Sequence, residues 1–202
     1  MIYGKNGLMF LRSKPSLEVI RKLIAAHCDV SFSYPEVGAT RNNLPDGYTI
    51  DHNRVPLGEG KECFDRAVEA IRSWKQFDLG WVEAAPTDTP IEVGAAVAIL
   101  ARHLGFWSVN ISRIVYVIQE ADPVEKFGFA YGTLKTHAER GEERFSVEWN
   151  RDDDSVWYDI LAFSRPNKIL IQLGRPFARH LQKNFAQDSL NRMKTLTAGS
   201  VL

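Results

Sequence analysis

Between Val93 and Phe163 the chain reads as five successive β-strands joined by hairpin turns, and after Ser164-Arg165-Pro166 its period becomes helical. The stretches are Val93–Ala101, Val109–Gln119, Phe127–His137, Glu142–Trp149 and Val156–Phe163. Alternation of larger and smaller residues, with β-branched and aromatic side chains, is the signature of strands with one buried face. Strands in such close succession pair antiparallel, and their apolar face has to be covered by something else. The tail offers the cover: Leu170, Leu173, Phe177, Leu181 and Phe185 form a stripe at helical spacing. Pro176 inside that run is expected to kink the helix or to begin a second one, because it has no N–H to donate.

Upstream, Met1–Ser13 shows little pattern and is expected to be a loose arm. Ser16 is a natural N-cap for a short helix to about Ala26, with Leu17, Ile20, Leu23 and Ile24 on one face. Ser31–Asp46 is rich in Pro, Gly and Asn and reads as loop. Tyr48–Val55 reads as a strand ended by Pro56 and Gly58, and Leu79–Ala85 as another. Between them Phe64, Ala67, Val68, Ile71 and Trp74 define an amphipathic helix over Lys61–Phe77. Seven antiparallel strands cannot bury both faces alone, so the economical arrangement is α+β, with a curved sheet wrapped around the long C-terminal helix. A gap between helix and concave sheet is a usual place for a small molecule.

At 202 residues the chain is expected to form one domain with a proper core. Its 25 Lys and Arg balance its 25 Asp and Glu, which argues against nucleic acid as partner, since that needs a basic excess. Cys28 and Cys63 form no CxxC, and the five histidines show no metal-binding spacing, so neither metal nor cofactor is expected. No apolar stretch approaches the ~20 residues of a membrane span. The expected compartment is the cytoplasm, and oligomeric state is not legible.

Two resemblances follow from particular residues. The order of elements from Gly47 to Leu196 resembles the START-like (Bet v 1-like, SRPBCC) helix-grip superfamily. Several blocks are similar to a conserved "domain of unknown function" (DUF/UPF) family of bacterial and plant proteins: Ser33-Tyr34-Pro35-Glu36-Val37-Gly38-Ala39-Thr40, Pro45-Asp46-Gly47-Tyr48, Arg113–Val117, Phe127–Leu134, Gly141–Phe145 and Val156–Pro166. The second resemblance implies no catalytic residues. With the first it implies an arm, short helix and loop over residues 1–46, packed as one unit with a helix-grip domain over 47–202.

The fold implied is a container, so the expected partner is a small hydrophobic or amphipathic molecule held between sheet and C-terminal helix. The alternatives are an enzyme of cyclase, hydrolase or dehydratase type on the same fold, and a membrane-peripheral or interaction protein using exposed aromatics. Three polar groups and one aromatic group are candidates for the site. Tyr131, Thr133, His137, Glu142, Glu143 and Arg144 share a hairpin, where a His–carboxylate pair has the parts for acid/base work and a solvated salt bridge is the plainer use. Glu142 and Glu143 point to opposite faces, so at most one is inward. Asp51, Arg54 and Arg113 form the second group, with Arg113 flanked by apolar residues and favoured as an anchor for a ligand carboxylate or phosphate. At the strand–helix junction, Ser164 reads as a cap or turn residue and Arg165 as structural or ligand-facing. Phe129, Phe145, Trp157 and Tyr158 lead an aromatic set that also includes Trp74, Trp81, Phe127, Trp149, Phe163 and Phe177; these residues suit either a core or a pocket lining.

Overall fold

The computed structural model describes residues 2–3, 9–135, 137, 139–166 and 174–198. In chain order the elements are β1 (Ile2–Tyr3), β2 (Met9–Leu11), α1 (Leu17–Ala25), β3 (Thr49–Glu59), α2 (Gly60–Arg72), β4 (Val82–Ala85), β5 (Ala96–His103), β6 (Phe106–Glu120), β7 (Val124–Thr133), β8 (Glu139–Asn150), β9 (Ser155–Pro166) and α3 (Arg175–Thr197). Short 3₁₀ turns lie at Ala39–Arg41 and Lys75–Phe77.

The sheet is antiparallel throughout and runs β3-β9-β8-β7-β6-β5-β4, which are the seven strands legible in the sequence. It curls, and the C-terminal helix lies on its concave side. The arm expected to be loose instead contributes β1 and β2. The second of these pairs with the start of β6 (Met9 opposite Val109), on the edge that β7 occupies further along. The segment at Phe32 bridges Leu134 at the end of β7 in the same way. Both additions satisfy backbone groups left open where β6 and β7 part company beyond Ser112 and Thr133.

Local chemistry accounts for the boundaries. Ser16 Oγ accepts the Val19 N–H at 3.4 Å and caps α1. The helix after β3 stops earlier than its periodicity predicts, because Trp74 adopts a left-handed conformation (φ 56°). That conformation is costly for a bulky residue. Trp74 is buried and its indole N–H donates to Thr89 O at 2.8 Å, which offsets the cost. The β5–β6 connection is a two-residue turn at Leu104 and Gly105, both with positive φ, as a tight hairpin between twisted strands requires. Nor does β3 stop at Pro56. It continues through a bulge between Pro56 and Gly58, which an edge strand tolerates because no outer neighbour needs the missing N–H.

Two apolar layers result. On the concave side Phe64, Ala67 and Ile71 of α2, with Trp74 and Phe77, pack on Phe129, Phe145, Tyr158 and Ile160, and Leu190 and Met193 of α3 complete the layer. On the convex side Ile20 of α1 packs on Ala98, Leu100, Val109, Ile111 and Leu134. Each fully buried large side chain contributes roughly 1.5–3 kcal/mol. Leu17 of the expected helix stripe is exposed, and Leu170 and Leu173 lie outside the described residues. Pro176 sits in the first turn of α3, where its missing N–H costs nothing.

Candidate functional site

The two ends of α3 are held differently. Its C-terminal part buries Ala186, Ser189, Leu190, Met193 and Thr197. Its N-terminal part stands away from the sheet over a cavity of about 790 Å³. One wall is apolar: Trp81, Val82, Ile99 and Ala101 from β4, β5 and the loop before them face Phe177, Leu181 and Phe185 of the helix. The other wall carries polar groups from β3, β6, β7 and β8, among them Asp51, Asn110, Tyr131, Glu139 and Glu143.

Strand register puts those groups together. Tyr131 of β7 lies opposite Glu143 of β8, and its hydroxyl donates to Glu143 Oε2 at 2.7 Å. Glu139 and Gly141 share the inward face of β8 with Glu143, and Gln182 of α3 donates to Glu139 at 2.6 Å. Asp51 of β3 takes two bonds from Arg179 of α3, the one from Nη2 at 2.7 Å. Burial is the main cause that pushes the Glu143 carboxyl up to about 7, and the nearby Glu139 and Asp51 charges add to it while the Tyr131 hydrogen bond opposes it. Burial also raises Glu139 above the ordinary carboxylate range and raises the Tyr131 hydroxyl. His137, in the turn before β8, is pushed down to about 4 by burial, and its Nδ1 accepts the Glu139 N–H at 3.0 Å. The ring is therefore neutral near pH 7, with its proton on Nε2.

Ten sequence candidates line this cavity: Asp51, Trp81, Tyr131, Thr133, His137, Glu143, Phe163, Ser164, Phe177 and Glu142, the last with its carboxylate engaged on the convex face. Thr133 also has a structural task, because its hydroxyl accepts the Gly141 N–H at 3.0 Å and meets Ser33 Oγ at 2.6 Å. Phe129, Phe145 and Tyr158 lie on the same face but deeper, in the packed core. The Tyr158 hydroxyl meets Ser189 of α3 at 3.0 Å.

Four candidates lie elsewhere. Arg113 is on the convex face, where it donates to His27 O and Cys28 O just beyond the end of α1, at 2.8 and 2.6 Å. Its expected partner Asp51 is on the other face, engaged by Arg179. Arg54 pairs with Glu148 at 2.8 Å and covers the ring of Trp157. Neither of those residues lines the cavity. Arg165 stacks over Tyr48.

The remaining hairpin candidates serve the convex face. Glu142 is 2% exposed and accepts from Tyr34 Oη at 2.8 Å, Gly38 N at 2.7 Å, Thr40 N at 3.0 Å and Thr40 Oγ1. Arg144 donates to Thr40 O and to Asp159, both at 2.9 Å. The block Ser33–Thr40 is thereby a clamp that fastens the N-terminal segment to the outside of the sheet. Glycine is required opposite it, since a Cβ on Gly132 would lie 2.0 Å from the Tyr34 oxygen.

Sequence reasoning missed Glu139, Arg179 and Gln182. The strand expected over Glu142–Trp149 in fact begins earlier, at Glu139. The period-2 row of Glu139, Gly141 and Glu143 was the available signal. Arg179 and Gln182 lie three residues apart, one helical turn, on the face beside the Leu181 stripe. Among the described residues no group of three or more His, Cys, Asp or Glu could hold a metal ion. No described helix is long and apolar enough to cross a membrane.

Comparison with known proteins places the chain in a family. A UPF0548 protein of Dictyostelium discoideum is 39% identical over 203 residues, covering 92% of this chain and 94% of that one. A UPF0548 protein of Deinococcus radiodurans is 33% identical over 204 residues, covering 95% and 100%. Among solved structures, the hypothetical protein jhp0584 from Helicobacter pylori is similar with a TM-score of 0.50 at 11% identity, covering 83% of this chain and 96% of that one. A START superfamily protein from Mycobacterium smegmatis is similar at a TM-score of 0.47 and 12% identity, covering 74% and 99%. At such identities the first likeness concerns the fold alone. Residues 33–192 match the family described as "Domain of unknown function (DUF1990)", and the chain belongs to that family.

Proposed function

We propose that this protein binds one small hydrophobic or amphipathic molecule in the cavity between α3 and the concave sheet. The observation that carries the reading is the size and lining of that cavity. About 790 Å³ suits a ligand of lipid or metabolite size, and an apolar wall facing a few convergent polar groups is the usual make-up of a small-molecule site. The apolar wall would take a hydrocarbon part, while Tyr131, Glu139, Glu143 and Gln182 would orient a polar end.

Native mass spectrometry of freshly purified protein, followed by extraction of whatever is bound, tests this. The expected result is one added mass per chain, lost on denaturation, or uptake of one equivalent of dodecanol by the apo protein. A protein that is apo and takes up neither dodecanol nor any other twelve-carbon amphiphile would overturn the reading.

A further inference from the structure

The cavity's polar wall has a charge imbalance that bears on what kind of head group it accepts. Asp51, Glu139 and Glu143 all line it. Arg179 beside them is already given to Asp51 through two bonds. Lys183 also lines the cavity but is exposed. His137 and His103 are both held toward the neutral form by burial. Glu139 has a neutral donor in Gln182, and Glu143 has one in Tyr131. Among the described residues the Asn110 Oδ1 acceptor is buried with no hydrogen-bond partner. Three carboxyls on this wall thus face one guanidinium already committed to Asp51 and one exposed ammonium. Aromatic rings of Phe77, Trp81, Tyr131 and Phe185 also line the chamber.

We infer that the cavity selects an amphipathic cation, with an ammonium group held at Glu143 and Glu139 and its hydrocarbon chain between α3 and the β4–β5 wall. This rests on the cavity-binding reading above and specifies its ligand class. A charged group entering a low-dielectric chamber needs an opposite charge and hydrogen-bond partners, and the two carboxyls supply both. Aromatic faces favour a cation further. A carboxylate or phosphate head group would instead meet like charge and acceptors. The sense agrees with Glu143 sitting near 7 in the empty cavity, because an incoming cation favours its ionised form and would displace its proton.

The test compares dodecylammonium, dodecanol and dodecanoate by isothermal titration at pH 7.5, each below its micelle concentration, on wild type, Glu143→Gln and Glu139→Gln. The account predicts that dodecylammonium binds roughly tenfold tighter than dodecanol, with dodecanoate weakest. Each variant should lower the amine affinity severalfold and lower dodecanol affinity by less, so that the preference for amine over alcohol shrinks. Either variant alone suffices should the other fail to fold. Amine affinity should also rise from pH 6 to 8 and flatten in Glu143→Gln. The groups electrostatically coupled to Glu143 are Tyr131 of β7, Tyr158 of β9, Asp51 of β3 and Glu139 of β8; Arg179 of α3 acts on Asp51 and Glu139, and His137 lies in the adjoining turn. Dodecanoate binding as well as the amine, with dodecanol also bound, would overturn the head-group inference and spare the cavity reading. Failure of all three to bind wild type would overturn both.

Discussion

Glu142 and Glu143 are adjacent in the chain, face opposite sides of β8 and are held in opposite ways. Glu142 accepts from Tyr34, Thr40 and two backbone N–H groups in the convex clamp, so its removal strands several buried donors. Glu142→Ala is expected to destabilise the fold by about 3 kcal/mol or more, measured by urea unfolding. Gly132→Ala should act in the same direction, by driving Tyr34 off its carboxylate. Glu143 faces the cavity, and its signature is pH dependence. Its carboxyl sits at about 7 when folded and near 4.5 when unfolded. Between those values the unfolded chain has released a proton that the folded one still holds. Stability from this group is therefore fully present below about 4.5 and is lost as pH rises through 7. His137 works the other way: its neutral form is stable down to about 4, so its contribution is lost as pH falls from 6.5. Urea titrations at pH 5 and 8 should show Glu143→Gln gaining stability relative to wild type as pH rises; an unchanged difference would contradict the placement of Glu143.

At the scale of elements, all seven strands of the curled sheet were legible because their alternation or β-branched content is strong. Which face each residue takes was less legible, and β6 shows why. A bulge between Ile114 and Tyr116 shifts the pairing register with β7. Asn110 and Ser112 line the cavity and Tyr116 contributes to a convex cluster, although all three are even-numbered. Read as one uninterrupted strand, Val109, Ile111, Arg113, Val115 and Val117 share a face; in the folded protein Val109 and Ile111 pack outside, whereas Val117 packs against the inner core. Arg113 therefore sits outside, on the carbonyls beyond α1. β2 was invisible for another reason: three residues carry too little pattern, and only the gap beside β6 explains its pairing. α3 leads to a dynamic prediction. Its C-terminal part is packed on α2 and the core, whereas its N-terminal part spans the cavity on Asp51–Arg179 and Glu139–Gln182 contacts. Amide hydrogen exchange should be faster over residues 177–183 than over 189–196, and should slow in the first stretch when an amphiphile binds. Uniform protection along the helix would contradict this division.

For the whole molecule, the sheet has an occupied face on each side. The N-terminal segment and α1 cover the convex side through the Glu142 clamp and the Ile20 cluster. α2 and the end of α3 fill part of the concave side and leave the rest open. The residues that set that open volume, such as Ala178 and Leu181 of α3 and Ala101 of β5, carry no sequence signal that separates cavity lining from core, because small and apolar residues serve both. The central claim is that this volume holds a ligand. Titration with the neutral fluorescent dye Nile red, on wild type and on Ala178→Trp, addresses it directly. The account predicts saturable blue-shifted emission at one dye per wild-type chain, and its loss in Ala178→Trp with the thermal transition retained. Absence of saturable binding, or equal binding by a folded Ala178→Trp, would contradict it.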